Sequence, residues 1–477
     1  METAARSPAA SRLGRGSPGG RVWLLLLPAV GFLLFFYGYP VVRLLALSVF
    51  DPEFTLKNYQ AALTGPVYVA VLKTTLKISL QTTVMCLLMG YPLAYLLATT
   101  SERKRNLLII AVVLPYFTSI LVRSYAWLVI LGRHGILNEA MISAGLIDQP
   151  VKMIYNTTGV VVGMAHIMLP IMVLALYAVM RGINMDFLKV SESLGANQVQ
   201  TFLRVYFPLS LPGIGAGCLL VFIFSVGFYI TPALLGGLRD TMLSMLIATQ
   251  IQELLRWGFA GALSLILLVV TLCIFLAFNR VMGLDRIWGG HVIRDQDSSG
   301  DRPAFFSLAP LRRLRTSVGL VLFEALETVI LTTTRVVGFP FRLFTTLINR
   351  LFGERSRHPG KLAPRRWGIV FVSTLILAFL LVPIALLFPV SFTNSLFLQF
   401  PPSGFSLQWY RELVDTTYWT SAFWLSLRVA PASMVLAVVL GTLSAIALAR
   451  GRFRLKDTAF MFILSPIIVP VIVTAVA

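Results

Sequence analysis

Long apolar stretches constrain this chain more than any other feature. They cover residues 22–42, 70–98, 107–131, 158–180, 213–236 and 259–282, then 367–391, 421–449 and 457–477. Each reaches the ~20 residues that a helix needs to cross a bilayer. Hydrocarbon offers the backbone no hydrogen-bond partners, so runs of this length cross as helices. Composition agrees: 57% of residues are hydrophobic and only 13% charged, where a soluble chain carries about 25% charged residues. The expected fold is therefore all-α, a polytopic transmembrane helix bundle.

The charge balance then reads as topology. There are 40 Lys and Arg against 20 Asp and Glu, a net charge of +20. In a soluble protein that excess would suggest nucleic acid. Here the basic residues concentrate in alternate loops: Arg103, Lys104 and Arg105, then Arg181, Lys189 and Arg204, then Arg450, Arg452, Arg454 and Lys456. The intervening loops hold fewer: Lys57, Arg133 and Lys152, Arg239 and Arg256, and Arg411. This positive-inside bias predicts a cytoplasmic N-terminus, membrane lipid as the solvent, and no nucleic-acid partner. The first apolar run is too long for a signal-peptide core and lacks an A-x-A cleavage site, so it reads as an uncleaved span.

Four parts follow: a cytoplasmic tail at 1–21, a first transmembrane unit at 22–284, a basic cytoplasmic linker at 285–366, and a partial second unit at 367–477. Within the linker, Val318 to Phe352 is apolar but interrupted by Glu324, Glu327, Arg335, Arg342 and Arg350, with basic flanks on both sides. Such flanks fit an even number of crossings or none, and the expectation is one or two amphipathic helices lying in the interface. The three cysteines (Cys86, Cys218, Cys273) lie in apolar runs without CxxC spacing, and the four histidines are scattered. Neither set predicts a metal site or a disulfide framework.

The two units repeat one another. Phe54, Leu56 and Tyr59 match Phe405, Leu407 and Tyr410. Val84, Gly90, Ala94, Leu97 and Ala98 match Val435, Gly441, Ala445, Leu448 and Ala449; Arg103 matches Arg454, and Pro115 matches Pro466. The offset is 351 throughout. Both copies keep the same basic side, so this is a parallel repeat of about six helices per unit, unlike the inverted repeats of many secondary transporters. A full second unit would run 351 residues past Leu284. The sequence stops at Ala477, within that unit's third span, as a fragment or a truncated product would.

The most informative loop runs from Asp186 to Pro208. It reads as a short helix, a break at Gly195, a second helix and a stop. Asn197 with Gln200 has the spacing of a capping box, and Pro208 and Pro212 would re-aim the chain into the next span. Such an elbow could dock a cytoplasmic partner. The segment resembles the EAA loop of permease subunits of ATP-binding-cassette importers of the binding-protein-dependent, MetI-like kind. That pattern is E-A-A, three residues, Gly, nine residues, I-x-L-P. Gly195, Val205 and Pro208 sit at its spacings, while Lys189, Val190 and Ser191 hold the E-A-A positions, with Glu192 adjacent. The resemblance implies a coupling loop (Asp186, Leu188, Lys189, Val190, Ser191, Glu192, Gly195, Val205, Pro208) seated on a cytoplasmic ATPase dimer. It also implies a periplasmic solute-binding protein, leaves room for a further permease chain, and places the protein in a bacterial inner membrane.

Two further stretches, Leu114 to Asn138 and Gly227 to Gly237, resemble spermidine/putrescine-type permeases. Two units in one chain are also similar to the ferric-iron importers. The expected function is thus an importer permease for a small solute, a polyamine first, with ferric iron or another solute as the alternative. No cofactor is expected on this chain, since ATP would be hydrolysed by partner subunits: no G-x-x-x-x-G-K-[ST] occurs, and Gly360-Lys361 is followed by Leu362. A gradient-driven transporter would carry carboxylates within its spans; the first unit has none there. An enzyme would need a His, Asp or Glu cluster, and none is visible.

Tyr116, Ser119, Arg123 and Trp127 are spaced i, i+3, i+7 and i+11, so they are expected to share one helix face. They are candidates for the translocation path, against a reading in which they pack the bundle and Arg123 snorkels to the outer interface. Tyr229, Thr231 and Pro232, late in the fifth span, are candidates too, against a plain proline kink. Gly213 and Gly217 form a GxxxG, expected to serve helix packing. Asn156-Thr157-Thr158 fits a glycosylation acceptor and is discounted in a bacterial chain.

Overall fold

The structure, a computed structural model, describes residues 22–50, 53–282, 363–396, 402, 404–451, 453 and 455–476. The 1–21 tail and the amphipathic linker helices expected before residue 363 lie outside the described residues. Among the described residues, eight helices are long and apolar enough to cross a membrane: Val22–Leu47, Pro66–Thr99, Ile120–Ser143, Thr157–Met180, Phe202–Val226, Trp257–Phe278, Gly368–Val390 and Thr417–Arg450. The all-α bundle is as expected, and β pairing among the described residues is limited to isolated bridges.

Two spans of the first unit differ from their sequence reading. The third crossing is not one helix. Glu102–Val113 ends in a 3-10 turn at Leu114–Phe117, the backbone runs extended at Thr118 and Ser119, and a new helix starts at Ile120. Pro115 in that turn supplies no N–H to a continuing ladder. The fifth span is shifted. It begins at Phe202 and ends at Val226, and Ile230–Leu235 is a separate short helix. Pro208 and Pro212 do not re-aim the chain: both lie within the helix Phe207–Val226, which continues from a π turn at Phe202–Tyr206.

The second, fourth and fifth spans build the core. Without a hydrophobic drive between helices in lipid, small residues that allow close approach take over. The buried face of the second span carries Thr75, Ser79, Thr82, Thr83, Cys86, Gly90 and Ala94. Met172 of the fourth span lies between two glycines: a Cβ on Gly90 would meet its Cγ at 2.9 Å, and one on Gly217 its Sδ at 2.6 Å. A Cβ on Gly213 would sit 3.0 Å from Val179, so the GxxxG packs against the fourth span.

The repeat is visible element by element. Lys57–Thr64 and Pro66–Thr99 recur as Gln408–Asp415 and Thr417–Arg450, and the helix starting at Ile120 recurs as Val471–Val476. The break in the third crossing recurs with them, since the expected span 457–477 divides into Lys456–Ile468 and Val471–Val476 with extended backbone at Val469. The connection after the first span shows a difference. Eleven residues separate Ser48 from Tyr59, whose hydroxyls pair, and the Phe50–Phe54 bridge lies between them. Nineteen separate Ser391 from Tyr410, paired at 2.7 Å around a Thr393–Phe405 bridge. The second loop is therefore eight residues longer, and the first spans align 343 residues apart, with Pro40 opposite Pro383.

The units also exchange helices. The first span packs along Thr417–Arg450 of the second unit, and the seventh packs on the second and third crossings of the first. Ile376 and Leu380 sit in the same core as Leu93, Leu169 and Met172.

Candidate functional site

The Asp186–Pro208 segment follows the fourth span at the same end of the bundle as the 100–101 connection. Its first helix is Asp186–Ser193. Asn184 Oδ1 accepts the Asp186 N–H at 2.9 Å, and Lys189 Nζ donates to Asp186 Oδ1 at 2.8 Å. That hydrogen bond, and the carboxylate's charge, hold the Lys189 ammonium above its ordinary pKa. Lys189 is thus paired within its own helix, and Glu192 stands exposed beside it.

The helix closes in a Schellman motif. Ala196 N–H reaches Ser191 O at 3.1 Å and Gly195 N–H reaches Glu192 O at 3.0 Å. Gly195 takes φ +90, where an L side chain is strained. The expected capping box is present, with Gln200 N–H donating to Asn197 Oδ1 at 2.9 Å and Asn197 N–H to Gln200 Oε1 at 3.1 Å. Leu188 and Ser191 turn inward, Leu188 onto the core and Ser191 Oγ to Thr201 Oγ1 at 3.2 Å. Phe187, Val190 and Leu194 stay exposed, Leu194 at 84%. Phe187 and Val190 on this short helix and Leu194 at its C-cap thus form an exposed apolar patch outside the spans. Val205 and Pro208 belong instead to the fifth span: Val205 lies in the π turn, and Pro208 is the second residue of the α-helix that follows.

The seven path candidates separate into two groups. Tyr116 lies in the 3-10 turn and Ser119 in the extended break, both exposed, whereas Arg123 and Trp127 lie buried in the helix beyond. The break rotates the first pair off the helix face of the second, so the four share no single face. Arg123 does not snorkel. It is 2% exposed, and its Nε and Nη1 have no hydrogen-bond partner. Thr231 and Pro232 are buried in the helix Ile230–Leu235, while Tyr229 before it is exposed. The chain breaks at Gly227–Tyr229, ahead of Pro232, so the proline sits in a first helical turn and makes no kink. Ser124 Oγ and Thr231 Oγ1, 2.9 Å apart, join this helix to the third crossing.

Two groupings were missed in the sequence. His166, read as one scattered histidine, is fully buried between Trp127 and Phe379, with Nε2 3.0 Å from Leu380 O of the second unit. Tyr91 and Tyr95, one helical turn apart on the second span, pack against Phe202 and Tyr206 at the foot of the fifth. The i, i+4 tyrosine pair was the available signal for the second. Nothing local marked the first, whose partner lies 214 residues away.

Comparison with known proteins completes the description. Residues 83–283 match the family described as "Binding-protein-dependent transport system inner membrane component". The chain is 33% identical over 269 residues to the spermidine/putrescine transport system permease protein PotB of Salmonella typhimurium, covering 55% of this chain and 93% of that protein. It is 30% identical over 255 residues to the molybdenum transport system permease protein ModB of Mycobacterium bovis, covering 53% and 92%. A crystal structure of a bacterial alginate ABC transporter with its pentasaccharide-bound periplasmic protein aligns at a TM-score of 0.46 and 21% identity, covering 55% of this chain and 94% of that one. By the family match and the identity to PotB, the chain belongs to the family of inner membrane components of binding-protein-dependent transport systems, and is a multi-pass permease of an ABC importer.

Proposed function

We propose that this permease passes a polyamine-class solute, received from an external binding protein, while separate ATPase subunits seated on the Asp186–Gly195 elbow hydrolyse ATP. The observation that carries the docking is the elbow itself. A Schellman-closed helix fixed to the fifth span presents Phe187, Val190 and Leu194 outside the bundle. The basic bias of the Arg103 and Lys189 loops orients that end, and the N-terminus with it, to the cytoplasm. The solute class follows the PotB relative.

A second reading, a solute that is not cationic, is favoured by Arg123, a buried guanidinium with open donors in a helix, Ile120–Leu131, that holds no carboxylate. Uptake of labelled putrescine and spermidine by cells carrying the whole system decides between them. Saturable uptake that each polyamine competes for is expected, and none at any concentration would overturn the polyamine assignment. Replacing Leu188–Gly195 with a Gly/Ser linker is expected to abolish co-purification of the ATPase; retained binding would overturn the docking.

A further inference from the structure

The elbow meets the rest of the chain chiefly through the π turn Phe202–Tyr206. In that turn Phe207 N–H reaches back to Phe202 O, one residue beyond α register. Phe202 and Tyr206 stack with centroids 5.9 Å apart at 17°. Tyr95 of the second span meets both edge-on, at 5.8 Å and 5.0 Å, each at 82°. Tyr91 lies 6.1 Å from Phe202 and 5.9 Å from Phe207, and its hydroxyl is 3.0 Å from Ser210 Oγ. Tyr206 is fully buried, and its hydroxyl has no partner.

The two tyrosines of the second span are not kept in the repeat. At the 351-residue offset, Thr442 and Ile446 stand where Tyr91 and Tyr95 do. Edge-to-face rings favour a few discrete arrangements over a continuous slide, so elements joined by them move together or jump between states.

We propose that Tyr91, Tyr95, Phe202 and Tyr206 are positioning residues that act as a joint. Through them, displacement of the Asp186–Thr201 elbow is carried to the second span, which ties ATP turnover to movement of the core helices. This rests on the reading of the elbow as the ATPase dock. An aliphatic side chain in place of Tyr95 keeps apolar bulk at the site but loses the two edge contacts that fix the angle between the elbow and the second span. The dock itself, on the other side of the π turn, is untouched.

The test uses the full complex of this chain, its ATPase and its binding protein in proteoliposomes. Tyr95→Leu is expected to keep ATPase co-purification, while stimulation of hydrolysis by solute-loaded binding protein falls about tenfold. Tyr95→Phe, which keeps the ring, is expected to restore it. Wild-type stimulation in Tyr95→Leu, loss of the ATPase from that variant, or a Tyr95→Phe as impaired as Tyr95→Leu would each overturn the joint. The Leu188–Gly195 replacement tests the dock separately. If it still binds ATPase, the docking reading fails whatever Tyr95 does.

Discussion

At the scale of single residues, Arg123 is the sharpest case. An arginine stays charged at any accessible pH, and a buried charge left without partners is destabilising by several kcal/mol in a membrane span. Nothing among the described residues offsets that cost for Nε and Nη1. Arg123→Met is therefore expected to raise the melting temperature in detergent, by an amount equivalent to about 2–4 kcal/mol, and to lower solute uptake. An unchanged or lower melting temperature would show that the guanidinium is satisfied in the membrane. An ionisable residue inside a span was visible in the sequence. Its burial was not, because the helical spacing that placed Arg123 with Ser119 and Tyr116 assumed a ladder that Pro115 and the extended Thr118 and Ser119 interrupt.

At the scale of elements, the elbow was legible where its chemistry is local. Gly195, with its positive φ, and the Asn197–Gln200 capping box depend on neighbours within a few residues, and sequence spacing captures such neighbours. The π turn was not legible. Pro208 and Pro212 suggested a stop, yet both sit in a helix held by the second and fourth spans, and tertiary packing overrode the local breaker. Gly195 offers a clean measurement, since a Cβ there would meet nothing within 4 Å and only backbone strain is at stake. Gly195→Val is expected to weaken ATPase binding by about 1–2 kcal/mol, the left-handed penalty of an L residue. Gly195→Asn, which tolerates that conformation, is expected to bind nearly as well as wild type. Equal affinities for all three in a titration of the ATPase would show that the Schellman closure does not shape the dock.

At the scale of the whole molecule, the sequence showed a parallel repeat but not how its units pack. The exchange of first spans could not be read from it, because a helix's apolar surface does not say which unit it will cover. In the structure the seventh span enters the first unit's core through Phe379, 5.1 Å from Trp127 and 5.5 Å from His166, and through the Leu380 carbonyl on His166. The first span lies against Thr417–Arg450 in return. In lipid such contacts act by packing and by interhelical hydrogen bonds of about 1 kcal/mol each, so two mutual crossings hold the units together without covalent help. Residues 1–282 and 363–477, co-expressed as separate chains, are therefore expected to co-purify through a tag on either one. Phe379→Ala opens a cavity costing about 3–5 kcal/mol between Trp127 and His166, and is expected to reduce the captured fraction sharply. Phe379→Leu, which refills part of that space, is expected to recover much of it. Failure of the wild-type halves to co-purify would mean that the linker, and not the exchanged spans, keeps the units together.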